Sequence, residues 1–167
     1  MVIEHDFFGL VDDDGSGGLY WSEVFDVGEQ HVLVTLTAGD AEAVTDDALE
    51  AAAAMLHSLA AFDARARDAL IAELSERESA TVAYIDQQVD DMGETLLDLL
   101  VHNSGDIPVD VLRSLQLLRV AVLPANYAEK DSVFAIFEFS ISPEDTDDLL
   151  VVSFDGPGDV VAVEVDS

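Results

Sequence analysis

The sequence predicts an α+β protein in which helices pack on one face of an antiparallel sheet. Strand-like segments fill the beginning of the chain, segments of helical period occupy its middle, and strand-like segments return at its end. Strands and helices that are grouped in this way, rather than alternating, are typical of the α+β class. A length of 167 residues predicts a single domain spanning residues 1–167.

Three short apolar or alternating segments near the beginning predict an antiparallel meander. They are His5–Val11, Leu19–Val27 and His31–Thr37. The last, H-V-L-V-T-L-T, has the clearest alternation, and β-branched residues favour strands. Gly28 predicts a short turn between the second and third segments.

The middle of the chain predicts helices that cover 45–75, 76–90, 94–102 and 107–115. Apolar residues recur there at three- and four-residue steps. Thr45 and Asp106 stand where helix N-caps are expected, and Ser75 with Glu78 fits a capping box. Gly93 predicts a break between the second and third helices.

Four further strands are predicted in the last third of the chain. They cover Leu117–Leu123, Val133–Ile141, Leu149–Phe154 and Val160–Val165. The motif D-G-P-G between the last two predicts a tight turn. We expect these four strands to share one antiparallel sheet with the three of the meander.

The charge composition limits the possible partners. The chain carries 36 Asp and Glu against 6 Lys and Arg, a formal net charge of −30. This argues against nucleic acid and anionic membranes as partners, because both are bound through basic residues. It favours basic proteins and cations. With no cysteine, no thiol chemistry is available, and the lack of a signal-like start predicts a cytoplasmic protein.

The segment D-D-D-G-S-G-G-L-Y-W-S-E, residues 12–23, fits the calcium-loop template of EF-hands. Asp12, Asp14 and Ser16 would supply side-chain oxygens, Gly18 its carbonyl oxygen, and Glu23 two carboxylate oxygens. These five residues are the candidate metal ligands of the chain.

The surroundings of residues 12–23 favour a different interpretation. An EF-hand needs a helix on each side, whereas both flanks have strand-like patterns. EF-hand loops also normally occur in pairs, and no second such loop is present. The favoured interpretation is a β-hairpin whose turn is rich in Asp and Gly, the usual turn-forming residues. We therefore expect no cofactor, with calcium as the alternative.

Two further groups of acids have helical spacing. Glu94, Asp98 and His102 recur at four-residue steps, as do Asp86, Asp90 and Glu94. Either group could hold a metal ion. Like charges at this spacing repel each other, and a bound cation would relieve that repulsion. A solvated polar face is the simpler interpretation of the first group, and a salt-adapted surface explains the second equally well.

Several segments resemble a family of small, acidic, uncharacterised bacterial proteins that share a domain of unknown function. They are H-D-F-F-G-L near the start, A-R-A-R-D-A-L-I-A-E-L in the helical region, and D-L-L-V-V-S-F-D-x-x-G-x-V-x-x-V-x-V-D-S at the end. The resemblance covers most of the chain. It implies the order strands, helices, strands, and places residues 12–18 in a hairpin turn. It implies no activity and no catalytic residues.

The chain contains no recognisable catalytic motif. No serine lies in a nucleophile elbow, and the histidines lack metalloprotease spacing. We therefore expect a non-enzymatic protein that binds another protein with a basic surface, as toxin-neutralising immunity proteins do by analogy. The alternative is a calcium-binding protein that uses the segment Asp12–Glu23.

Overall fold

The fold is organised around a six-stranded mixed sheet with helices packed against it, which confirms the α+β class. The computed structural model describes residues 2–5, 8–12, 18–28, 30–100, 104–127, 129 and 132–166. Its strands are β1 Val2–His5, β2 Gly9–Asp12, β3 Leu19–Val27, β4 Gln30–Ala38, β5 Gln116–Val122, β6 Ala135–Ser140, β7 Leu149–Phe154 and β8 Val160–Asp166. The large sheet has the order β3-β4-β5-β6-β7-β8, and β1 pairs with β2 separately.

The prediction that the sheet is wholly antiparallel was wrong at one junction. β4 and β5 run parallel, with Leu33 opposite Arg119 and Leu36 opposite Val122. All five helices lie in the connection between these two strands. A long crossover of this kind brings the chain back to the end of the sheet where β4 began, and so makes the pair parallel. The other four strand pairs are antiparallel.

The predicted first strand, His5–Val11, is divided between two strands of a separate hairpin. β1 and β2 pair with each other, from Val2 opposite Asp12 to His5 opposite Gly9. Phe8 lies in the turn between them, and its buried ring packs edge-to-face on Trp21 with centroids 4.8 Å apart. The large sheet therefore receives two strands from the beginning of the chain, not three, and four from its end as predicted.

Buried apolar rows run across one face of the large sheet. One row joins Val34, Val120, Phe137 and Val152, which are direct neighbours on consecutive strands and have no exposed surface. Buried residues from every helix join the same core, among them Leu49, Leu70, Tyr84, Leu96 and Val111. On the opposite face Val24 and Leu33 are 59% and 42% exposed. The helices thus cover one face, as predicted.

The helices are α1 Asp46–His57, α2 Leu59–Ala72, α3 Ala80–Met92, α4 Glu94–Leu99 and α5 Ile107–Ser114. The single helix predicted over 45–75 is broken at Ser58, whose φ of −112° and ψ of 28° are not helical. Its N–H is bonded to the carbonyls of Ala54 and Met55, which closes α1 before α2 begins. None of the described helices is long and apolar enough to cross a membrane.

Two predicted helix caps are confirmed and one is wrong. Thr45 accepts a hydrogen bond from the N–H of Ala48 at 3.1 Å, and Asp106 accepts one from Val109 at 3.3 Å. The cap of α3 is Ser79 rather than Ser75. The Ser79 hydroxyl accepts from the N–H of Val82 at 3.3 Å and donates to the carbonyl of Glu73 at 3.0 Å. The helix predicted over 76–90 is therefore α3, which begins at Ala80 and not at residue 76.

Gly93 separates α3 from α4 with a φ of 56°, a backbone conformation that favours glycine. This confirms the predicted break. The last helix, predicted over 107–115, ends at Ser114. The third, predicted over 94–102, ends at Leu99, and residues 101–103 lie outside the described part of the chain.

Candidate functional site

The candidate calcium ligands are only partly within the described residues. Asp12 is the last residue of β2, and Gly18 directly precedes β3. Asp14 and Ser16 lie outside the described residues. Glu23 is exposed in the middle of β3, opposite Val34. The segment is therefore flanked by strands on both sides, where the EF-hand frame has helices. Calcium binding here stays a prediction.

Glu23 has a structural explanation of its own. It belongs to the cross-strand row of Val34 and Val120, so it lies on the face that the helices cover. β3 is an edge strand, and Glu23 remains exposed there. A charged residue on the inner face of an edge strand discourages another chain from pairing with that edge. The carboxylate protects the β3 edge whether or not a cation binds.

The two acidic groups of helical spacing are divided by the break at Gly93. Asp86 and Asp90 are exposed on α3, whereas Glu94 and Asp98 are exposed on α4. His102 lies outside the described residues. Within the described ranges, the structure brings together no group of three or more His, Cys, Asp or Glu that could hold a metal ion.

A buried polar network joins α3 to the loop between β6 and β7. The hydroxyl of Tyr84 accepts a hydrogen bond from the N–H of Ile141 at 3.0 Å. One turn later, Gln88 Nε2 donates to Asp148 Oδ2 at 3.0 Å. Tyr84 and Gln88 have no exposed surface. The two bonds fix both ends of the loop, residues 142–148, against the helix.

The loop also holds its own conformation. The Ser142 hydroxyl donates to Asp145 Oδ2 at 2.7 Å, and the N–H of Thr146 bonds the carbonyl of Ser142 at 3.0 Å. The N–H of Asp148 donates to the Thr146 hydroxyl at 3.1 Å. The carboxylates of Asp145 and Asp148 are consequently held at defined positions.

The end of β8 adds carboxylates beside this loop, on the sheet face opposite the helices. Asp166 is paired opposite Leu149, the residue after Asp148, and Glu164 is opposite Val151. On α3, Asp91 is held by a hydrogen bond from Gln87 at 2.9 Å. We name the carboxylates of α3, the loop and β8 at this end of the sheet the acidic corner; it comprises Asp91, Glu144, Asp145, Asp147, Asp148, Glu164 and Asp166.

The acidic corner is not neutralised by basic side chains of the described chain. Within the described ranges, Asp63 forms an ion pair with Arg67 at 3.0 Å and Asp26 a hydrogen bond with His31 at 2.6 Å, and neither belongs to the corner. Most of the carboxylates in the corner are exposed. Burial raises the pKa of Tyr84 above its ordinary value, with a smaller contribution from the charge of Asp148. The neutral phenol adds no charge to the corner.

Gln88 carries one unsatisfied atom. Its Oε1 is buried and has no hydrogen-bond partner among the described residues. The amide is oriented by Asp148, because a carboxylate accepts only from the N–H₂ side. The sequence analysis did not single out Gln88. Its spacing from Thr81, Tyr84 and Ile85 on the buried face of α3 was the available signal.

A cavity of about 510 Å³ lies between α5 and the large sheet, lined by Gln30, Arg113 and Leu117 among others. The polar groups of Gln30 are already used within the fold. Its Oε1 accepts from the N–H of Leu117 at 2.7 Å and from Arg67 Nη2 at 3.1 Å. Arg67 also contacts Asp63 and the carbonyl of Leu112. This polar cluster ties β4, β5, α2 and α5 together.

Comparisons of the chain with protein-family models, curated proteins and solved structures found no significant match. The resemblance to a family of small acidic bacterial proteins therefore stays a prediction.

Proposed function

We propose that the protein is a non-enzymatic binding module that recognises a protein with a basic surface through the acidic corner. The observation that supports this is a group of carboxylates on and around a loop that Tyr84, Gln88 and its own hydrogen bonds hold in place, without basic partners among the described residues. A rigid surface of one charge accelerates the approach of an oppositely charged partner.

Two carboxylates of the acidic corner are ordered before any partner binds. Side chains that are already ordered lose less conformational entropy when they bind. The Asp145 carboxylate is positioned by Ser142, and that of Asp148 by Gln88. Single exposed ion pairs contribute about 0.2–1 kcal/mol each. Several pairs formed together at fixed positions are therefore required for a specific complex.

The net charge of −30 restricts what the module binds. Nucleic acids and anionic lipid surfaces would be repelled, because both carry the same sign of charge. Bacterial immunity proteins that neutralise a toxin in the cytoplasm are one class that works in this manner, and we propose that role by analogy.

The experiment compares capture of proteins from an extract of the native host by three forms of the chain. The corner variant carries Glu144→Gln, Asp147→Asn and Glu164→Gln. The control variant carries Glu42→Gln, Asp47→Asn and Glu78→Gln, and so loses equal charge from exposed positions elsewhere. We expect the wild type and the control to retain the same basic protein, and the corner variant to lose it.

The identity and salt dependence of the retained protein decide the result. Mass spectrometry should identify a protein with a high isoelectric point, and retention should fall steeply as salt is raised. If the corner variant and the control variant lose the captured protein equally, binding depends on the overall negative charge of the surface and not on a defined site. Retention of an acidic or neutral protein would contradict the proposal.

A further inference from the structure

The outer edge of β8 lies beside the acidic corner and pairs with no strand among the described residues. β8 is the last strand of the sheet and pairs with β7 on its inner side. Its apolar side chains are unusually accessible: Val160, Val161 and Val165 are 37%, 38% and 40% exposed. An edge of this kind presents backbone N–H and C=O groups that can pair with another strand.

The two edges of the large sheet differ in how they are protected. The β3 edge has the inward-facing Glu23 described above. β8 contains neither Lys nor Pro, the residues that commonly block an edge. It has an irregularity opposite Ser153 and Phe154, near its beginning. Residues Ala162–Asp166 beyond it pair with β7 in unbroken register and leave a regular edge of five residues.

We propose that the edge of β8 accepts an extended basic segment of the partner as a seventh strand. This inference rests on the proposed function and specifies where and how the partner binds. Strand addition obtains affinity from backbone hydrogen bonds and specificity from alternating side chains.

The register of β8 defines the sequence of the segment it would accept. Val163 and Val165 face the helix-covered side, since they are opposite the buried Val152 and Leu150. Glu164 lies on the other face, opposite Val151. Because side chains alternate along a strand, the added segment should place apolar residues beside the valines and Lys or Arg beside Glu164 and Asp166.

A second copy of the same chain does not fit this edge. Pairing β8 with another β8 would bring the carboxylates of Glu164 and Asp166 close to those of the other copy. Each copy also carries a net charge of −30, so their approach is opposed at long range. The charge of the edge therefore selects a basic partner.

Two hexapeptides of equal composition test strand addition directly. One alternates valine and lysine, and the other has its valines and lysines in two blocks. We expect the alternating peptide to bind about tenfold more tightly, because only it can place each side chain on the correct face. Hydrogen exchange of the outward-facing amides in Ala162–Asp166 should slow in that complex, since new backbone hydrogen bonds form.

A pair of charge reversals locates the site. Glu164→Lys should weaken binding of the alternating peptide about tenfold through loss of its cross-strand pair and local repulsion. Asp68→Lys makes the same change of charge at an exposed position of α2 and should change affinity by about twofold or less at physiological salt, where the Debye length is about 8 Å.

The outcomes separate this inference from the proposed function. Equal affinity for both peptides, equal effects of the two reversals, or unchanged exchange in β8 would overturn strand addition. Capture of a basic protein through the acidic corner would then still support the proposed function. If the host partner is captured but binds with β8 exchange unaltered, strand addition is likewise wrong.

Discussion

The hydroxyl of Tyr84 offers a sharp test of how α3 holds the loop of the acidic corner. It accepts the hydrogen bond of the Ile141 N–H at 3.0 Å in an interior without solvent access. Tyr84→Phe keeps the ring and removes this acceptor, which leaves a buried donor unsatisfied. Such a donor costs about 1–3 kcal/mol. With a urea dependence of about 1–3 kcal/mol per molar, the unfolding midpoint should fall by roughly 1 M.

Tyr127→Phe is the matched control for this change. The Tyr127 ring packs on Phe134 with centroids 5.4 Å apart, and its hydroxyl makes no hydrogen bond within the described residues. The control should alter the free energy of unfolding by about 0.5 kcal/mol or less. Equal midpoints for the two variants would refute the argument that the Tyr84 hydroxyl is required at this position.

The pH dependence of stability gives a second measurement on the same variant. Burial raises the pKa of Tyr84 in the folded state, so the folded protein keeps its proton where the unfolded chain loses it. Its contribution is complete below the unfolded value of about 10 and is lost as the pH rises further. The wild type should therefore lose more stability than Tyr84→Phe between about pH 9 and about pH 11, roughly one unit on either side of that value.

Three other predictions follow from the charges. Calcium should leave the melting temperature unchanged. A bound calcium ion would instead raise the stability by roughly 2.7 kcal/mol at a hundredfold excess over the dissociation constant. A rise of that size that Asp14→Ala abolishes would establish the calcium site. In the presence of chelator, the urea midpoint should be higher at about 1 M than at about 0.1 M sodium chloride, because the Debye length falls from about 10 Å to about 3 Å; an unmoved midpoint would indicate acids already neutralised by bound cations or local pairing. A hydrogen bond from the Ser104 hydroxyl holds the pKa of Asp110 below its ordinary value. The ionised carboxylate therefore stabilises the fold above the unfolded pKa of about 3.9, and this stabilisation is lost as the pH falls. Asp110→Asn should lower the urea midpoint at neutral pH, and the midpoints of the variant and the wild type should move closer together in acid.

Local signals in the sequence were sufficient for the class of the fold and for many of its boundaries. The caps Thr45 and Asp106 act over three residues, so their chemistry is visible in the sequence. The turn before β8 is similar: Asp155 accepts a hydrogen bond from the N–H of Gly158, whose φ is 95°. These interactions could be predicted because the two residues that form each of them lie only three positions apart in the sequence.

Features that depend on contacts beyond a helix's own first turn were missed. Ser75 and Ser79 are both chemically suitable as helix caps, and the contact of Ser79 with the carbonyl of Glu73 selects between them. The parallel pairing of β4 with β5 follows from where the long helical connection returns to the sheet. A pattern of apolar residues determines which face is buried, but it does not determine which strands become neighbours.

The acidic corner required the tertiary structure for the same reason. The excess of acids was evident from composition, but their clustering arises from hydrogen bonds between residues far apart. Gln88 and Asp148 are separated by 60 positions, and Tyr84 and Ile141 by 57. No spacing within a single segment could have indicated that α3, the loop 142–148 and the end of β8 meet.

The account depends most on the acidic corner being the surface that contacts a basic partner. Backbone amide chemical shifts of the protein, recorded by NMR as the captured basic protein is added, test this directly. We predict that the largest changes fall in residues 88–92, 142–148 and 162–166. Changes concentrated on α1 and α2, or small changes spread evenly over the described surface, would contradict the account.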